Sequence, residues 1–99
     1  MHPQVVELEI VEGRPSIRGE CDLSNAAQVA SWLRTFDGEP FELDLSGVTF
    51  LDSSALHVLL SERRRNPGMR IVAASTVVLR ILDLTGTTEY LMAATGSHE

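Results

Sequence analysis

In Val5-Val6-Glu7-Leu8-Glu9-Ile10-Val11 apolar and acidic residues alternate after Val5, the period of a half-buried strand. Glu12-Gly13-Arg14-Pro15 supplies turn chemistry, and Ser16-Ile17-Arg18-Gly19-Glu20-Cys21 alternates again. This predicts a hairpin with Ile17, Gly19 and Cys21 on one face. The period then changes. Ser24 is placed to cap a helix in which Ala26, Val29, Ala30, Leu33 and Phe36 share one side, until Asp37-Gly38-Glu39-Pro40 stops it. Phe41 to Leu45 alternates as a strand, Ser46-Gly47 reads as a turn, and Val48-Thr49-Phe50-Leu51 follows. Ala55, Leu56, Leu59 and Leu60 return to helical spacing up to Asn66-Pro67-Gly68. Residues 69–74 form a short apolar strand, Ser75 caps a third helix through Val78, Ile81 and Leu82, and Gly86 stands where a C-terminal capping glycine belongs. A short strand or helical turn is expected around Tyr90-Leu91-Met92, followed by a polar tail expected to fray.

Strands that alternate with helices imply parallel pairs joined by right-handed crossovers, and the opening hairpin makes the sheet mixed. Alternation in the hairpin leaves polar side chains outward, so the helices should cover mainly one face. The expected architecture is a two-layer α/β sandwich. It fills a single domain over residues 1–99, with 5–90 as its ordered core.

The 99 residues carry 8 Lys+Arg against 14 Asp+Glu, a formal net charge of −6. Direct nucleic-acid binding is a poor match, because release of counterions from phosphates needs a basic face. Arg63-Arg64-Arg65 reads as a solvated helix end, where cations oppose the negative pole of the helix. A single cysteine, Cys21, excludes an intramolecular disulfide and reads as a small buried hydrophobe, with no positive neighbour to activate it. The apolar runs are far shorter than a bilayer span, and nothing at the start resembles a cationic, apolar leader. The cytoplasm is the expected compartment, without membrane insertion.

Asp52-Ser53-Ser54 lies at a strand-to-helix junction, where short polar residues satisfy the free N–H groups of a first turn. Taken alone this is an ordinary N-cap. The longer run from Leu43-Asp44-Leu45-Ser46-Gly47 through Leu51-Asp52-Ser53-Ser54-Ala55-Leu56 resembles the signature of STAS domains, especially bacterial anti-sigma factor antagonists. Gly19-Glu20-Cys21-Asp22 resembles that family's segment before the first helix, and Ala73-Ala74-Ser75 to Leu84-Thr85-Gly86 its segment around the third. The resemblance implies a STAS-like fold and a partner-switching module. Unmodified, the chain would bind an anti-sigma factor with serine kinase activity. Phosphorylation of Ser53 would release it, and a protein phosphatase would reset the switch. The partner-binding ridge implied is Asp22, Leu23, Ser24, Asp52, Ser53, Ser54, Ala55 and His57. Ala55 stands where many members have glycine, and Cys21 where an aliphatic residue is usual.

No enzymatic activity is expected. His57 is one turn beyond Ser53, but a G-x-S-x-G elbow is missing and the chain is short for a substrate pocket. His2 and His98 fall near the ends, so the three histidines do not suggest a metal site. No glycine-rich phosphate loop is present, so no cofactor is expected and ATP would belong to the kinase. Trp32, Met69 and Met92 read as core. The alternative use of the same fold is a STAS subunit that binds the ATPase of a lipid-transporting ABC system. A scaffold that keeps Ser53 without switching is a third.

Overall fold

The computed structural model describes residues 5–93, and its first two strands meet at a two-residue turn. Glu12 (φ 52°) and Gly13 (φ 80°) both adopt left-handed backbone, so the link follows the right-handed twist of the strands it joins. Strand β1 (Val6–Val11) therefore pairs antiparallel with β2 (Arg14–Cys21), with Val11 opposite Arg14. The turn is tighter than the predicted four residues. Pro15 enters β2, where its missing N–H costs little because pairing with the next strand starts only at Ser16.

Helix α1 (Ala26–Arg34) crosses from β2 to β3 (Phe41–Leu51), and α2 (Ser53–Arg65) from β3 to β4 (Met69–Ala74). Helices α3 (Thr76–Thr85) and α4 (Thr88–Met92) complete the chain. The four strands lie in the order β1-β2-β3-β4, with β2, β3 and β4 parallel. Ile17, Leu43, Leu45 and Ile71 from the sheet meet Val29, Leu33, Leu56, Leu59, Val78 and Leu82 from the helices in one core. The opposite face of the sheet is polar. Arg14 and Arg70 both reach Glu42 at 3.1 Å, and Arg18 lies 3.6 Å from Glu9. The expected mixed sheet with helices on one face is the fold observed. Among the described residues no helix is long and apolar enough to cross a membrane.

Four local expectations change. Ser24 does not cap α1. Asn25 holds that position, but its side chain turns back, accepting from Asp22 N–H (3.0 Å) and donating to the Glu20 carbonyl (2.8 Å). Helix α1 ends at Arg34 rather than Phe36, because the N–H groups of Thr35, Phe36 and Asp37 bond three residues back and tighten the last turn. Phe36 still packs, its ring 5.2 Å from Trp32 and 5.0 Å from Phe41. Ser46-Gly47 does not break β3. The Asp44 carboxylate accepts from both N–H (2.8 Å) and Oγ (2.6 Å) of Ser46, so the turn chemistry becomes a register slip inside an eleven-residue strand. Ser46 donation and the Arg14 charge hold the Asp44 carboxyl below the usual range, despite an opposing contribution from burial.

The arginine cluster is the fourth change. Arg63 donates to the carbonyls of Tyr90 (2.9 Å), Met69 (3.1 Å) and Pro67 and lies over the Tyr90 ring, clasping α4 to the end of α2. Arg65 pairs with Asp37 and with Glu62, and Arg34 donates to Glu62 at 3.0 Å. Glu62 is buried, so these two guanidinium groups neutralise a carboxylate drawn between α1 and α2. Only Arg64 matches a solvated helix end. Residues 90–92 are helical, and Gly86 caps α3 at φ 71° as its position predicts. The expected tail beyond residue 93, His2 and His98 lie outside the described residues.

Candidate partner-binding site

Parallel pairing of β2 and β3 places Cys21 opposite Leu51, so both strands end together and the aspartates that follow them become neighbours. Asp52 accepts from Ala55 N–H through Oδ1 (3.0 Å), capping α2, and from Leu23 N–H through Oδ2 (3.1 Å). One carboxylate thus fixes both the start of α2 and the β2–α1 loop. Asp52 N–H bonds to the Cys21 carbonyl, closing the same junction through the backbone. Asp22 stabilises the loop from inside, accepting from Ser24 N–H (2.9 Å) and Ser24 Oγ (2.6 Å).

This arrangement sorts the predicted ridge. Leu23, Ser24, Ser53 and His57 face solvent, Asp52 and Ser54 are half-buried, and Asp22 and Ala55 are buried. Leu23 is 76% exposed, an apolar side chain on the loop that Asp52 ties to the head of α2. Ser53 is the first residue of α2, exposed on a backbone held by the Asp52 cap. Its hydroxyl can be reached without opening the core. Asp22 and Ala55 shape the surface from beneath and offer it little area of their own.

The His57 ring lies 3.4 Å from Ser61 Oγ, one turn further along, and no bond joins it to Ser53 among the described residues. Cys21 lies under the junction. Burial, reinforced by the charges of Asp22 and Asp52, pushes its thiol up to about 11. The raised value suppresses the thiolate that oxidation or alkylation requires. Native protein is expected to react with iodoacetamide at least about 100-fold more slowly than guanidinium-unfolded chain at the same pH. Rates within threefold would show the thiol to be accessible. Because the folded group stays neutral up to about 11 while the free thiol ionises near 9, its contribution to stability is intact below pH 9 and fades between pH 9 and 11.

Asp52 was legible as a cap, but its second bond, to Leu23, was not, since 29 residues separate them. Replacing Asp52 with Ala is expected to lower stability by about 1–2 kcal/mol in urea denaturation, with Asn recovering most of it. An Ala variant as stable as the parent would show that the cap contributes nothing.

The family model described as "Mlab, STAS domain" matches residues 7–93, and the chain belongs to that family. No curated protein matches it. Among solved structures it is similar to an anti-sigma factor antagonist from Mycobacterium paratuberculosis, with 22% identity over 96% of this chain and 87% of that one, at a TM-score of 0.71. That similarity confirms the fold.

Proposed function

We propose that the chain is a cytoplasmic, non-enzymatic anti-sigma factor antagonist that works by partner switching through Ser53. The carrying observation is the exposed Ser53 hydroxyl at the first turn of α2, held beside Leu23 by the Asp52 carboxylate. The solved antagonist with the same fold supports the choice of partner class. Unmodified Ser53 and Leu23 would pack against an anti-sigma factor with serine kinase activity. That kinase would transfer the γ-phosphoryl group of ATP to Ser53 Oγ, with loss of the hydroxyl proton and release of ADP.

The phosphate would add about −1.5 to −2 charges next to Asp52 and near Asp22. The positive end of α2 tolerates that charge, so the fold persists, while an apolar interface would have to desolvate it. Release follows, and a phosphatase restores the binding form.

Isolation of the protein from its native cells tests this directly. Intact-mass and peptide mass spectrometry should find phosphate on Ser53 in a fraction of the chains, and a kinase-like anti-sigma factor should co-purify only with the unphosphorylated form. An unmodified chain bound to a transporter ATPase would replace this reading with that of an ABC-system subunit.

A further inference from the structure

Ser53, His57 and Ser61 follow one another at four-residue spacing along α2, on the side of the helix away from its buried Ala55, Leu56, Leu59 and Glu62. Side chains so spaced are neighbours, with Cβ atoms about 6 Å apart. Ser53 and His57 are exposed, and the one hydrogen bond of the ring among the described residues is long, 3.4 Å to Ser61 Oγ. Little holds the imidazole where it lies. All eight basic residues are arginines, and none falls in the β2–α1 loop or the first two turns of α2, where the charged groups are Asp22 and Asp52. Of the elements packed on α2, α1 carries only Arg34, bonded to Glu62, and α4 carries Glu89 and the Tyr90 that lies against Arg63. Strands β3 and β4 carry Glu42, Asp44 and Arg70 on the outer face of the sheet. Among the described residues His57 is therefore the one side chain beside Ser53 that can become a cation.

We propose that His57 makes the Ser53 switch sensitive to pH: protonated, it closes on a phosphate at Ser53 across one helical turn, and deprotonated it lets that phosphate go. The inference rests on the proposed phosphorylation of Ser53 and names a regulation of that site. An acid four residues before a cation is the favourable order on a helix. A phosphate at Ser53 lies between that cation and two carboxylates, Asp52 and Asp22, that repel it. Phosphoserine takes its second charge near about pH 6, and histidine is the side chain whose charge ordinarily changes between about pH 5 and 8. The pair is strongest in slightly acidic solution, where both groups are charged. Above that range the imidazole is neutral and the phosphate stands open to a phosphatase, so the reset of the switch is slower at mildly acidic pH than the phosphate ester alone would make it.

The full chain with phosphoserine built in at position 53 during translation tests this by ³¹P NMR titration. Its phosphate should lose the second proton at a pH at least about 0.3 lower than in the same chain carrying His57→Gln, because the imidazolium favours the dianion. His57→Arg should keep the lowered midpoint, and 1 M NaCl should erase the difference between parent and His57→Gln. A non-specific phosphatase at pH 6.5 should hydrolyse the His57→Gln form at least about twofold faster than the parent, with the two rates converging at pH 8. Equal midpoints, or equal hydrolysis at pH 6.5, overturn the inference and leave partner switching standing. Since the phosphoserine is built in, neither result depends on a kinase, and it is the absence of phosphate from Ser53 in native cells that would overturn the proposed function and this regulation with it.

Discussion

Replacing Ser53 with Asp is expected to weaken binding to the proposed anti-sigma partner by at least about 100-fold, while the melting temperature stays within about 3 °C. The two halves of this result have different physical sources. Helix α2 has no acidic residue in its first turn, so a carboxylate at its first position gains from the helix dipole. Asp52 immediately before it, and Asp22 across the junction, oppose that gain. The balance leaves the fold near its starting stability. At the proposed interface the new charge is costly, because a partner that covers the exposed Leu23 must strip water from the carboxylate. Ser53→Ala should bind as tightly as the parent and resist release by kinase and ATP. Titration calorimetry with the purified partner measures both. Equal affinity for the Asp and Ser forms would remove the switch from the proposed function, and an Asp form that unfolds would place Ser53 in the fold rather than at the surface.

Much of this architecture was legible because local patterns and tertiary packing agree. The alternation in β1, the helical spacing of Leu56 and Leu59, the Ser75 cap and the Gly86 terminus each answer to a preference acting over a few residues. Misreadings arose where a side chain had two uses. Ser24, Ser46 and Arg63 carry side chains suited to a cap, a turn and a solvated end; Ser24 bonds back to Asp22 and Ser46 to Asp44 while the strand runs on, and Arg63 is drawn to the Tyr90 carbonyl, 27 residues away. The site divided in the same way. Ser53 and the Asp52 cap are local and were readable, whereas the burial of Asp22 and the Asp52–Leu23 bond depend on β2 and β3 ending side by side. Glu62 gave no signal at all, since nothing near it in sequence distinguishes it from an exposed helical glutamate.

Gly19→Ala is expected to be the most damaging small substitution in the molecule, costing about 3 kcal/mol or more and lowering the melting temperature by roughly 15 °C. Gly19 has φ +95°, a conformation that strains an alanine, and its added Cβ would lie 2.4 Å from the Val5 carbonyl oxygen. That oxygen cannot move aside, because it accepts from Glu20 N–H at 2.8 Å while Gly19 pairs with Val6 on one side and Val48 on the other. Gly38 separates the two contributions. It has nearly the same φ, +92°, but a Cβ there would meet nothing within 4 Å, so Gly38→Ala should carry the backbone strain alone, about 1 kcal/mol. Equal losses for the two variants would show that strain rather than the Val5 clash governs. The β2–β3 register slips between Gly19 and Glu20, and the next two residues bring Cys21 and Asp22 to the junction under Ser53. Forcing a side chain at Gly19 therefore shifts the strand end that carries the Leu23 loop. Partner binding should fall in Gly19→Ala even at temperatures where the domain remains folded, and should survive in Gly38→Ala.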